Sequence, residues 1–340
     1  MISVKIVRYA QQGSGEVLNE WKSYESIKEW KEKHIAEYIS SIHLLNEFHD
    51  YVMKEVMKLA IIRLNKGNPP CDFCWFITGS GGRLEQGLIS DQDHGIIFEI
   101  FSQDNEHFFL ELGKEISDGL AHVGFPYCKG NISSSNRIWC RSLDHWNEQI
   151  YTWMEEESLE SIRNLLIFYD ARCLFGINKY LFELKYNIYE YQKNHPFLLK
   201  RFMDNVMHIK KATGPLGQII VEEKGKYHGS INLKYSAFLP YVNAIRILAI
   251  KEGVFETSTL ERINRLRENK EYRDLMSKSE VNFQSLLNFR LSLPQVHSYE
   301  DTHYLNINNL TRIEKKEIKR ILKEGIDLHH FVNRLIIKGC

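Results

Sequence analysis

Gly79-Ser80-Gly81-Gly82-Arg83-Leu84-Glu85-Gln86, followed by Ser90-Asp91-Gln92-Asp93, is the stretch on which the reading of this chain turns. It lies between two segments of strand character. Cys71 to Thr78 is rich in aromatic and β-branched residues, and a second such run extends from about His94 to Phe101. A Gly-Ser turn after a strand lets backbone N–H groups and a hydroxyl approach phosphate oxygens closely, because glycine removes the side chains that would obstruct them. Asp91 and Asp93 are two residues apart on extended backbone, so both carboxylates point to one face, about 6–7 Å apart at the backbone. That spacing suits shared divalent ions. A few carboxylates, triphosphate oxygens and water are the usual ligands of Mg²⁺, and a pair of such ions clamps an in-line displacement at phosphorus. In this pattern Arg83 adds charge on the phosphates. Glu85 holds Arg83 or the loop by a charge-assisted hydrogen bond.

Outward from this stretch the spacing of apolar residues sets the rest. Ile35, Ile39, Ile42, Leu45, Phe48, Val52, Val56 and Leu59 form one stripe within a long helix or helix pair over Tyr24 to Asn65, stopped by Lys66, Gly67, Asn68, Pro69 and Pro70. Gln103 to Val123 returns to helical spacing, and Gly124 to Asn136 reads as an irregular connection. Ser158 is a cap for a helix carrying Leu159, Ile162, Leu165, Leu166 and Tyr169, expected to end near Gly176. From Tyr180 the pattern is mostly helical, interrupted by Thr213-Gly214-Pro215-Leu216-Gly217 and the short apolar segment Gln218 to Val221. No repeat or low-complexity segment is present. The expected fold class is α+β, a mixed sheet flanked by helices with a mostly helical C-terminal domain. The expected divisions are 1–70 (helical), 71–190 (sheet-bearing) and 191–340 (helical).

Composition narrows the classes. In 340 residues, 44 Lys plus Arg balance 44 Asp plus Glu, and only 20 Gly and 7 Pro accompany 43% hydrophobic residues. This excludes a disordered or collagenous chain and leaves room for two cores. Zero formal net charge supplies no bulk attraction to nucleic acid or to an anionic membrane, so neither is an expected partner. The best apolar run, Ala237 to Ile250, is cut by Pro240 and Arg246 and is too short to span a bilayer. Met1 to Val7 has no signal-peptide pattern. A cytoplasmic location with six reduced cysteines is expected.

The Gly-Ser turn and the Asp-x-Asp pair resemble the nucleotidyltransferase fold of the DNA polymerase beta type. Phe76 to Phe98, Gly124-Phe125-Pro126 with Trp139 to Trp146, Phe168 to Gly176, Pro215 to Gly217 and Ile231 to Glu261 are together similar to one family. It is that of bacterial signal-transduction nucleotidyltransferases, akin to the N-terminal catalytic part of PII-protein uridylyltransferase. Members often carry CBS or cyclic-nucleotide-binding domains upstream, and this chain resembles the catalytic core without them. The resemblance implies nucleotide binding at Gly79 and Ser80, metal binding by catalytic Asp91 and Asp93, and support from Arg83 and Glu85. It implies Mg²⁺ or Mn²⁺ as cofactor, an NTP as substrate, and contacts from Lys234 and Arg246 to phosphate or acceptor. The implied reaction moves NMP to an acceptor hydroxyl with release of pyrophosphate. The acceptor it suggests is a small PII-like regulatory protein, and uridylyl and adenylyl transfer both fit. A third carboxylate is not evident. Glu99 lies about 20 Å along the strand from Asp93, Asp170 falls on a helix, and Asn232 stands where the family leads one to expect an aspartate.

Other readings stay open beside this one. The same cleft would serve a catalytically inactive regulatory or protein-interaction module, or an enzyme modifying a small molecule as antibiotic nucleotidyltransferases do. Cys71-Asp72-Phe73-Cys74 with Cys128 and Cys140 is read as buried thiols, since a strand places Cys71 and Cys74 on opposite faces. His34, His43, His49, His329 and His330 are read as packing or surface groups. Arg312 to Lys323, interleaved with Glu314 and Glu317, is a solvated helix face. Trp139, Trp146 and Trp153 recur every seven residues, as core positions on one helix would.

Overall fold

The structure is a computed structural model that describes residues 21–214, 217–294 and 296–339. The signal-peptide reading of Met1 to Val7 and the Pro215 and Leu216 positions of the break lie outside the described residues. Two helices, α1 (Tyr24–His34) and α2 (Ile42–Leu64), open the chain. Ser23 and Ser41 cap their N-termini, and Asn65 ends α2 in the left-handed conformation at φ 51°. The break between the helices takes Ile39 off the expected stripe and leaves it exposed, while Leu45, Phe48, Val52, Val56 and Leu59 are buried.

A four-stranded mixed sheet follows, built from β1 (Phe73–Ile77), β2 (His94–Phe98), β3 (Cys140–Ser142) and β4 (Arg172–Gly176) in the order β3-β2-β1-β4. Strand β1 pairs antiparallel with β2 and β4, and β2 pairs parallel with β3. A one-turn helix α3 (Gly79–Gly82) leaves β1, α4 (Gln103–His122) follows β2, and α5 (Leu143–Glu156), α6 (Leu159–Tyr169) and α7 (Lys179–Asn194) complete this half. The helix capped by Ser158 therefore stops at Tyr169 rather than near Gly176. The segment after it runs extended and pairs with β1, with Phe76 opposite Cys173 and Ile77 opposite Arg172. Its mixed polarity hid this, because β4 is an edge strand with only Leu174 fully buried. Strand β1 begins at Phe73, so Cys71 precedes it. Trp139 lies before β3, and only Trp146 and Trp153 belong to α5, yet the three rings pack together with centroids 5.9–6.2 Å apart in the core.

Both faces of the sheet are covered, which explains its unbroken apolar strands. Phe73, Trp75, Ile77, Ile96 and Phe98 pack with α2 and α4. Cys74, Phe76 and Ile97 face the other way, into a cluster that continues through α6 and α7 to the C-terminal helices. Those are α8 (Phe197–Asn205), α9 (Leu239–Glu252), α10 (Thr259–Leu266), α11 (Arg273–Leu291) and α12 (Arg312–Gly339). A two-stranded antiparallel sheet, β5 (Ser230–Asn232) with β6 (Tyr304–Asn306), sits among them. Position 190 falls inside α7, and the chain turns between helices at His195-Pro196. The fold is thus the α+β arrangement expected. Among the described residues no helix is long and apolar enough to cross a membrane. The lysines of α12 between residues 312 and 323 lie outside its buried line of Ile318, Ile321 and Leu322.

Candidate active site

Residues 91 to 94 continue β2 backwards as extended backbone, tied by hydrogen bonds from Thr78 N–H to Asp93 O (2.8 Å) and from Gln92 N–H to Pro126 O (3.1 Å). Alternation along this segment sorts the side chains. Gln92 and His94 share parity with Ile96 and enter the side packed by α4. There the Gln92 amide donates to the carbonyls of Ser117 (3.1 Å) and Phe125 (2.9 Å). His94 Nε2–H donates to Gln92 Oε1 at 2.9 Å, while its Nδ1 accepts from Trp75 Nε1–H and from the Ser134 hydroxyl. Burial pushes the His94 imidazole down to about 3, so it is a neutral structural group. Asp91 and Asp93 have the opposite parity and face the C-terminal helices.

The two carboxylates and the Cys128 sulfur come together, with one ligand atom from each lying within 4.8 Å of the others. Burial, and then the Asp91 charge, push the Asp93 carboxyl up to about 7; burial also raises Asp91, against the pull of Lys234. Asp93 Oδ1 is buried without a hydrogen-bond partner. A site that raises two acids and orphans one of their oxygens is short of positive charge, which a divalent cation supplies. Donors about 2.1–2.4 Å from one ion are separated by at most about 4.8 Å, so these residues fit a metal. Gly79 makes this approach possible. Its φ is +58°, and a Cβ there would stand 2.3 Å from Asp93 Oδ2.

The glycine turn is held from behind by α2. The Asn46 side chain accepts from Gln86 N–H (3.0 Å) and donates to Gln86 O, and His49 Nε2–H donates to Gly87 O at 3.0 Å. Asp50 pairs through both oxygens with Arg172 (2.6 and 2.7 Å), whose Nε–H donates to Gly81 O at 3.0 Å. His49 is therefore a buried clamp. Its helical spacing looked like ordinary packing, and no sequence signal separated the two. The Ser80 hydroxyl lies 3.2 Å from that of Ser90.

Arg83 and Arg246 bracket Asp170, and the Arg83 charge also acts on Asp93. The Asp170 carboxylate, with no exposed surface, accepts from Arg83 (2.7 Å), Arg246 (3.0 Å) and Arg262 (2.7 Å). Burial alone would raise its pKa, but Arg246, Arg262 and Arg83 together hold it well below the usual carboxylate range. Glu85 takes Arg83 Nε–H at 2.9 Å and the Thr259 hydroxyl, as expected for a loop-holding acid. Its backbone carbonyl accepts from Arg290, whose guanidinium stacks 4.1 Å over the Phe238 ring. Asp170, Arg262 and Arg290 were not singled out as site residues. Asp170 lies 87 residues from Arg83 and Arg290 lies 205 residues from Glu85, and no local pattern marks them.

Opposite the carboxylates, the small C-terminal sheet delivers a cation and a phenol. Strand β5 leads into a π-helical turn, Lys234–Phe238, and β6 is entered from Tyr299 to His303. Lys234 Nζ donates to the Tyr299 hydroxyl at 3.4 Å, and the charges of both Lys234 and the buried phenol's neighbour Asp91 act on each other there. Tyr299 is pushed up by burial and by the Asp91 charge. Asn232, in β5, accepts the Tyr235 N–H on its side-chain oxygen at 3.0 Å and so starts the turn that carries Lys234.

Comparison with known proteins agrees with this division of labour. No curated protein matches the chain. Residues 27–160, which hold the glycine turn and Asp91 and Asp93, match the family model described as putative nucleotidyltransferase DUF294. Residues 196–336, which supply Lys234, Arg246, Arg262, Arg290 and Tyr299, match the model described as putative nucleotidyltransferase substrate binding domain. With both of its domains present in order, the chain belongs to the putative nucleotidyltransferase family DUF294.

Proposed function

We propose that this protein is a divalent-metal-dependent enzyme that transfers a nucleoside monophosphate from an NTP to an acceptor hydroxyl and releases pyrophosphate. The observation that carries the reading is the convergence of Asp91 and Asp93 beside the glycine turn, facing Lys234 and Tyr299 from the substrate-binding domain. A divalent ion held by Asp91 and Asp93 would neutralise the triphosphate and the leaving pyrophosphate. The turn at Gly79 and Ser80 offers phosphate oxygens a hydroxyl and the N–H groups that a helix start leaves without intrahelical acceptors. Arg83 serves the nucleotide indirectly, since its guanidinium fastens the turn to Asp170. Arg246 does the same from α9. Lys234 is the cation placed to meet phosphate charge near Asp91.

The acceptor is proposed to be a tyrosine hydroxyl on a small PII-like regulatory protein, in a signalling role. The Tyr299 phenol, close enough to Asp91 to feel its charge, supports a site able to receive a phenol at that carboxylate. An acceptor phenol in that place would lose its proton toward a carboxylate as its oxygen bonds to the α-phosphorus and the bond to pyrophosphate breaks. The test is pyrophosphate release from each of the four NTPs with Mg²⁺ or Mn²⁺ in cell extract, with label in the α-phosphate, beside the Asp91→Asn, Asp93→Asn double variant. Release and a labelled protein with the wild type alone are expected. Nucleotide binding without release under any condition would overturn transfer and leave a nucleotide-binding regulatory module.

A further inference from the structure

Cys128 belongs to the irregular segment after α4, where nothing in the sequence pattern linked it to Asp91 or Asp93. In the fold its sulfur lies with both carboxylates inside a 4.8 Å set. Among the described residues no third carboxylate joins the set. Asp170, at the end of α6, is taken up by three arginines. Burial, and then the Asp93 charge, push the Cys128 thiol up to about 12, so the sulfur carries its proton until a cation offsets that charge. Gly130 N–H donates to Cys128 Sγ at 3.2 Å. Backbone N–H groups directed at sulfur are the outer-shell support that metal-bound thiolates receive. The neighbouring Asp93 Oδ1 is buried with no hydrogen-bond partner among the described residues.

We propose that Cys128 is the third protein ligand of this ion, and that the site takes a first-row transition ion, Mn²⁺, Co²⁺ or Zn²⁺, ahead of Mg²⁺. The inference rests on the proposed metal-dependent transferase and refines which metal serves it. Mg²⁺ prefers oxygen donors and keeps its waters, whereas a thiolate favours Zn²⁺ and Co²⁺ and is tolerated by Mn²⁺. On binding, a metal–sulfur bond forms and the thiol proton passes to solvent. No oxidant or reductant is involved.

The test is titration of chelator-treated, reduced full-length protein with Co²⁺, read by absorption. One equivalent should produce a sulfur-to-cobalt charge-transfer band in the near ultraviolet. The band should vanish in Cys128→Ser and also in Asp93→Asn, which separates this thiol from the others. Cys128→Ser should weaken Co²⁺ binding by about tenfold or more, in the range lost when a ligand or its support is removed, and change Mg²⁺ binding by less than about twofold. Should Cys128→Ser fail to fold, X-ray absorption of the Zn²⁺-loaded wild type gives a second readout, a sulfur shell at about 2.3 Å. Co²⁺ bound without the band, a band that survives in Cys128→Ser, or a Zn²⁺ shell of oxygen and nitrogen alone would each overturn the inference and leave the transferase standing. Failure to bind Mg²⁺, Mn²⁺ or Co²⁺ at all, measured by calorimetry with NTP present, would overturn both.

Discussion

Asp170→Asn is the most informative single change, because it removes one charge and no volume from a fully buried carboxylate that three guanidiniums share. Oδ2 accepts from Arg83 and Arg246, and Oδ1 from Arg262. The asparagine would keep its oxygen toward the pair and turn its NH₂ toward Arg262, donor against donor. Arg262 would retain only the carbonyls of Glu256 (2.7 Å) and Tyr169 (3.1 Å). Breaking a buried ion pair from one side costs about 3–5 kcal/mol, which for a chain of this size is a Tm lowered by roughly 4–7 °C. Urea unfolding followed by tryptophan fluorescence measures it. The pH dependence has a definite sign. The Asp170 pKa is depressed from its ordinary 3.8, so its contribution is complete above that value and is lost as pH falls below it. The difference between wild type and variant should be level from pH 5 to 8 and shrink on further acidification. A cost below about 1 kcal/mol would refute the network argument. A tenfold loss of Mn²⁺ affinity in the variant would instead make Asp170 a metal ligand.

Asp93→Asn should abolish transfer and, without metal, should be more stable relative to wild type at pH 8 than at pH 5. The Asp93 pKa is raised to about 7, so wild type loses stability as pH rises through that value; urea midpoints in chelator that stay parallel would contradict this. Gly79→Ala must adopt φ +58° and meet Asp93 Oδ2 at 2.3 Å. It should cost about 1–3 kcal/mol and weaken Mn²⁺ binding measurably by calorimetry, whereas unchanged affinity would mean the turn does not shape the metal site. Lys234→Met should lower kcat/KM for NTP by roughly 10-fold to 100-fold, the value of a charge-assisted contact of about 1.5–3 kcal/mol. Tyr299→Phe should leave KM for NTP unchanged and alter KM for the acceptor, and steady-state kinetics on the labelled product separate the two.

Several things were legible from the residues themselves. The serine caps, the 3.6-residue stripe of α2, and the apolar run of β1 are local, as is the parity that turns Asp91 and Asp93 to one face while Gln92 and His94 turn to the other. Strand β4 was not legible, because an edge strand with one fully buried residue carries no alternation, and only its hydrogen bonds to β1 make it a strand. Nor was the place of Arg83 and Arg246. A guanidinium near a phosphate-binding turn has the same sequence signature whether it meets phosphate or a buried acid, and the choice depends on Asp170 arriving from the end of α6. Cys128 shows the same division. Its neighbours in the chain announce an irregular connection, and its chemistry comes from two carboxylates more than 30 residues earlier. The order glycine turn, paired aspartates and helical second domain was thus determined by the sequence, since backbone conformation and side-chain parity are set by near neighbours. Which charges meet across the fold was decided only by the tertiary structure, because burial and pairing depend on residues that the chain brings together from far apart.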